Sequence, residues 1–292
     1  MEYIIENEVL KVTVTSRGAQ VISVVHKADG VEHIWCGDPA VWGGRAPVMF
    51  PYAGKLKDGK FTARGKEYTG NQHGFARNME HTFVSNTGTQ LTLELPWSEE
   101  TYALWPYKFC LRSVFTLRGD TLHHALEVEN RDDEDILFGV GYHPGFNVPF
   151  DGAHSYTDYE FRFDALESPM YLDTSCGGLV SDKHHIFAKN IKAIPLTDTL
   201  FDNDSLCMTG LHSSTLGLYE KGSNRAIICN IEAFPYTLIW SKPGVPKFVC
   251  IEPWQSIPSR VDDGHAWEEK AAAASAAPGE IWSTCLTTQF RR

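Results

Sequence analysis

Two residues more than a hundred positions apart have the types and settings that proton transfer requires, His143 and Glu252. His143 lies in Gly141-Tyr142-His143-Pro144-Gly145-Phe146, between glycines and aromatic rings. The apolar run at 137–140 reads as a strand, and Pro144 steers His143 toward extended backbone, so the imidazole should stand off a rigid edge. An imidazole changes protonation state near neutral pH, which suits it to general acid or base work. From the hexapeptide alone, a strand-end histidine satisfied by a backbone carbonyl is the simpler reading. Glu252 ends the apolar run 248–251 and precedes Pro253 and Trp254. Beside an indole at the mouth of an apolar strand, a carboxyl has its pKa raised unless a hydrogen bond or cation compensates, and this is a setting for a general base. A strand-end glutamate paired with a surface lysine is an equal alternative.

Two further segments concentrate polar residues among turns, at 50–59 and 71–77. His73, flanked by Gly74, is placed to donate a hydrogen bond to a ligand oxygen. Arg77 could pair with a carboxylate, clamp an anion or brace the loop, and bracing is slightly favoured. Trp254, Trp105 and Phe75 could form an apolar platform for a pyranose face, although each taken singly fits a core role better. The adjacent pairs His123-His124 and His184-His185 point to opposite faces of a strand and are not natural chelates. With no His-x-x-x-His, no cysteine cluster and no phosphate-binding glycine motif, neither a metal nor a nucleotide cofactor is expected.

The elements that must position these residues are strands. Alternating apolar runs recur at 10–15, 21–25 and 31–35, as hairpins at 61–63/66–68, 82–85/91–95 and 109–117/122–128, and again at 216–219, 226–231, 237–240 and 248–251. Helical periodicity is confined to 98–104 and to an alanine-rich stretch at 266–277, which reads equally as a connector to a last strand at 281–288. Nothing resembles a linker or repeat. The pattern predicts an all-β fold, one continuous antiparallel domain over 1–292 with two large sheets face to face.

Composition narrows the partners. A net charge of -11 argues against nucleic acid and anionic membranes, and no apolar run is long enough to cross a bilayer. A small neutral ligand fits, and eight tryptophans would suit stacking. Seven scattered cysteines read as reduced thiols and the first residues resemble no signal peptide, so a cytoplasmic location is expected.

Taken in order, Ala53-Gly54-Lys55-Leu56-Lys57-Asp58-Gly59, Gln72-His73-Gly74-Phe75-Ala76-Arg77, Gly141-Tyr142-His143-Pro144 and Cys250-Ile251-Glu252-Pro253-Trp254 resemble the aldose 1-epimerase (galactose mutarotase) family, especially its bacterial LacX-like branch. The match spans nearly the whole chain. The resemblance implies a large β-sandwich of the galactose-mutarotase type, an open sugar cleft, no cofactor, and interconversion of the α and β anomers of a free aldose. It implies His143 as the acid that protonates the ring oxygen and Glu252 as the base that takes the anomeric hydroxyl proton. His73, Lys55, Arg77 and Trp254 would bind the sugar.

Two departures stand out. Lys55 occupies a place where the family's galactose enzymes commonly carry arginine, so the charge is kept and the planar fork lost. The resemblance also implies a sugar-binding aspartate, either Asp202 or Asp204, with Asp204 favoured because Ser205-Leu206-Cys207-Met208 fits the branch better. Lys55, Lys57, Arg45 and Arg77 suggest a hexose-6-phosphate 1-epimerase as an alternative, provided they converge on the cleft. A sugar-binding protein without turnover is the other.

Overall fold

The computed structural model describes residues 1–292. Two large antiparallel sheets, of nine and eight strands, dominate it. At the centre of the nine-stranded sheet, Phe109–Arg118 and Thr121–Asn130 form a hairpin, with Ile281–Arg291 on its other side. Leu122, His124, Leu126, Val128 and Asn130 are buried and their neighbours are not, the period-2 signature of a strand with one face on a core. The core is a cluster of 56 buried side chains to which both sheets contribute.

In the eight-stranded sheet, Phe248–Trp254 runs between Tyr236–Trp240 and the two-residue strand Gly141–Tyr142, which Val48–Met49 flanks in turn. All seven residues of Phe248–Trp254 are buried because both of its faces are covered. Val249 and Ile251 join the inter-sheet core, whereas Cys250 and Trp254 belong to separate apolar clusters on the opposite face. Tyr142 ties the sheets together, its hydroxyl donating to the His124 carbonyl at 2.7 Å and toward the Thr284 carbonyl at 3.3 Å.

Three expectations need correction. Residues 266–277 are not a helix: Trp267–Glu269 is one 3-10 turn and Ala274–Ala276 is a strand paired with Ile136–Phe138. Helix propensity is worth only tenths of a kcal/mol per residue. Here the buried Trp267, whose indole N–H donates to the Leu137 carbonyl at 2.7 Å, and the strand pairing override it. Residues 31–35 make isolated bridges, Glu32 to Val25 and Ile34 to Phe146, because they cross between sheets and do not extend one. Finally, the strand predicted to stop at Ile251 continues through Glu252 and Pro253 to Trp254, so Glu252 sits mid-strand. The short helix Glu99–Leu104 forms as expected, with Ser98 capping it by accepting from the Thr101 N–H.

Candidate active site

The register of Phe248–Trp254 brings the two proton-transfer candidates together. Gly141 pairs with Trp254 and Gly145 with Cys250, so His143 lies opposite Glu252. His143 Nε2 is 3.3 Å from Glu252 Oε2, with the two side chains 9% and 2% exposed. The glycines around His143 have no positive φ and make no turn. Their role is close packing: a Cβ on Gly141 would stand 2.8 Å from Trp254 Cδ1, and one on Gly145 would stand 2.7 Å from Trp42 Cζ3. Both rings line the cleft, and Trp42 stacks on the His143 imidazole at 4.8 Å between centroids.

The cleft has a volume of about 290 Å³, at the small end for small-molecule sites. Its lining includes Lys55, His73, Arg77, His143, Asp204, Glu252 and Trp254. Asp202 is exposed and outside it. Trp105 is fully buried among Phe50, Tyr107, Phe109 and Trp267, and Phe75 packs on the same core. These two are therefore core residues and no platform for a ligand. Trp42 and Trp240 take that place, along with Leu238 and Cys207. Alternation along 237–240 could have pointed to Trp240, since Leu238 and Trp240 share a face. Trp42, in a loop before Gly43-Gly44, gave no comparable signal.

Backbone geometry fixes the tautomer of His73. The Gly54 N–H donates to Nδ1 at 3.0 Å, so in the neutral ring the proton sits on Nε2, free to be donated to a ligand. Burial, aided by the Arg77 charge, lowers His73 to about 3, which keeps it neutral. This geometry depends on Gly74, whose φ is +69° and whose Cβ would lie 2.1 Å from the Phe50 carbonyl oxygen. Gly74→Ala is expected to destabilise the protein by about 2 kcal/mol or more and to weaken ligand binding in the cleft, because the loop must move and carry His73 with it. Chemical denaturation and a ligand titration on the same variant check this, and wild-type values in both would refute it.

Arg77 does not brace its loop through an ion pair. Burial alone lowers its guanidinium, with no carboxylate opposing, and its charge is felt at His73 and His143. Lys55 Nζ donates to the Gly177 carbonyl at 2.9 Å across the cleft rim. Lys57 Nζ donates to the Asp263 carbonyl and Arg45 Nη1 to the Ile22 carbonyl, both away from the cleft.

Burial raises the Glu252 carboxyl well above its usual range, Asp204 adding to it and the Trp254 indole opposing. Burial also lowers the His143 imidazole well below its usual range, helped by His73 and Arg77. The direction at Glu252 is the one expected for an apolar setting. For the pair, both directions favour a neutral form in which a carboxylic acid faces a neutral imidazole. This form and the carboxylate–imidazolium form carry the same number of protons and differ only in where one proton sits across 3.3 Å.

The cleft is polar and tryptophan-walled, has an imidazole–carboxyl pair on its floor, and is carried by a two-sheet antiparallel sandwich. The chain belongs to the aldose 1-epimerase family, whose model matches residues 1–287. It is 29% identical over 282 residues to the plasmid and chromosomal LacX proteins of Lactococcus lactis, covering 94% of this chain and 94% of each relative. Among solved structures it resembles a galactose mutarotase related enzyme from Lactobacillus acidophilus, with a TM-score of 0.93, 31% identity, and coverage of 100% of this chain and 98% of that one. A galactose mutarotase-like protein from Lactobacillus casei gives 0.91 and 26%, with 99% of each chain covered. The fold is thus the galactose-mutarotase sandwich, and no helix is long and apolar enough to cross a membrane.

Proposed function

We propose that this chain is an aldose 1-epimerase acting on a free hexose, with Glu252 and His143 exchanging protons with the two oxygens of the anomeric centre. The carrying observation is the 3.3 Å approach of His143 Nε2 to Glu252 Oε2 on a buried cleft floor. With the cyclic sugar bound, the Glu252 carboxylate takes the anomeric hydroxyl proton and the His143 imidazolium gives its proton to the ring oxygen. The C1–O5 bond breaks and an aldehyde forms. Glu252 is then a carboxylic acid and His143 neutral, which is the state that burial favours for both groups. After rotation about C1–C2, His143 takes back the O5 proton, O5 attacks the other aldehyde face, and Glu252 returns its proton to O1. The buried pair thus matches the open-chain intermediate, the least populated species on the path, which is where stabilisation accelerates the reaction.

His73 Nε2–H is a donor for a sugar oxygen near the ring, Asp204 an acceptor for hydroxyls, and Trp42, Trp240 and Trp254 provide faces for C–H surfaces. A free sugar is favoured over a sugar phosphate because only Lys55 and Arg77 of the four cations line the cleft, Lys55 being bonded to the Gly177 carbonyl, while Lys57 and Arg45 are engaged elsewhere. Asp204 would also repel a dianion at the rim. Polarimetry of freshly dissolved α-glucose and α-galactose, with their 6-phosphates in parallel, tests both parts. The free sugars are expected to have a kcat/KM at least about tenfold higher than their phosphates. Spontaneous rates on every sugar would leave only a binding role, and a preference for phosphates would overturn the choice of substrate.

A further inference from the structure

We propose that His143, Cys250 and Glu252 form a capture site for a soft divalent cation, zinc foremost, on the cleft floor, and that filling it stops the proton-transfer pair. Binding stands on geometry alone, whereas the loss of turnover rests on the acid–base reading above.

Cys250 takes no part in the proton transfers of mutarotation. It lies two residues before Glu252 on the same strand face and pairs with Gly145, two residues beyond His143. The register therefore gathers an imidazole nitrogen, a thiol sulfur and a carboxylate oxygen within 4.8 Å of one another, all on buried residues. Two ligands each about 2.0–2.1 Å from a tetrahedral zinc stand about 3.3–3.4 Å apart. His143 Nε2 and Glu252 Oε2 already have that separation, at 3.3 Å. The sulfur, with its longer bond of about 2.3 Å, would complete one triangular face, and a water would take the fourth position.

Charge strengthens the assignment. The site offers a thiolate and a carboxylate beside one neutral imidazole. Together they neutralise a dication, and the filled site carries no net charge. The other cluster of this kind, Asp151, His154 and Glu220, is already served by a cation, since Arg225 Nη1 lies 2.5 Å from Asp151 and 3.2 Å from Glu220. Local sequence motifs could not show the first cluster, because its histidine and its Cys-x-Glu segment meet only through strand pairing.

Binding releases the thiol proton and the one proton that the His143–Glu252 pair holds, forms three metal–ligand bonds and changes no oxidation state. Affinity should therefore rise with pH. Metal-free protein titrated with cobalt(II) chloride is expected to show a thiolate-to-metal charge-transfer band that saturates at one equivalent. Zinc chloride should remove that band by displacing cobalt and, when added to the metal-free protein instead, release about two protons per ion, and magnesium chloride should do neither. Mutarotation should fall as zinc binds and return on adding EDTA. Cys250→Ala is expected to turn over sugar as the wild type does and to bind zinc about a hundredfold more weakly. Cys250→Val, which fills the thiol's volume, separates a ligand effect from a packing defect.

A wild type without the band, or a band that persists in both Cys250 variants, overturns the site. Equal zinc inhibition in wild type and both variants overturns inhibition through it. A protein that shows the band yet has no mutarotase activity would sink the acid–base reading while supporting the metal site.

Discussion

Glu252→Gln is expected to lower kcat for mutarotation by about a thousandfold with little change in KM, since positioned acid–base groups contribute about 10²–10⁴-fold. The amide keeps the shape and the hydrogen-bonding capacity that hold a sugar hydroxyl, but it cannot accept and return a proton. His143→Gln should do comparable damage. Because each group is useless without the other, the double variant should be little worse than either single one, a non-additivity that independent binding contacts would not give. A second readout separates catalysis from folding. Glu252 is a buried carboxyl whose ionisation burial opposes, so replacing it with a neutral isostere should leave Tm unchanged or raise it. An active Glu252→Gln protein, measured by polarimetry above the spontaneous rate, would remove Glu252 from the mechanism. An inactive one with a collapsed Tm would show only that the residue is structural.

How much of the fold and site is legible in the sequence follows the range of the interactions. The hairpin of Phe109–Arg118 and Thr121–Asn130 can be read directly, because alternation is a local property and the turn residues lie beside it. His143, Glu252 and His73 can be singled out by their neighbours, but their convergence cannot. It depends on the register between Gly141–Tyr142 and Phe248–Trp254, which nothing within either segment determines. The same limit applies to the tryptophans. Trp105 and Trp42 are equivalent as letters, yet one fills the core and the other covers His143. Phe248–Trp254 misleads in another way, since a strand covered on both faces reads as a plain apolar run and hides that Glu252 and Trp254 face the cleft. Asp202 and Asp204 differ by loop conformation alone, Asp204 sitting at φ +75° on the rim of the cleft.

Acidification should unfold this protein well above the pH at which carboxylates are titrated, because three histidines away from the cleft are buried in neutral form. His33 lies against Phe150 and Phe290 with no hydrogen-bond partner on either nitrogen, and burial lowers it to about 4. Burial lowers His81 to about 4 as well, although it contacts the Ala76 carbonyl at 3.2 Å, and His124, stacked on Phe115 at 4.1 Å, is lowered to about 3. Each folded pKa lies below the unfolded value near 6.5, so the unfolded chain binds more protons between the two. Their contribution is complete above about pH 6.5 and is lost as pH falls toward the folded values of about 4 and 3. At pH 5 each histidine costs about 2 kcal/mol, so the three together approach the whole stability of an ordinary domain. Glu252 works in the opposite sense, since its raised carboxyl ceases to penalise folding as pH falls, but it is one group, and the cleft histidines His73 and His143 act with the other three. Thermal melts should show Tm falling by at least about 10 °C between pH 7 and pH 5, with these three rings contributing about two to three protons to the uptake on unfolding near pH 5. His33→Gln should make that slope shallower by about one proton. A Tm that holds within about 2 °C over the range would mean that these rings find solvent or a counter-charge when protonated, and that the packing described around them is not the one that resists acid.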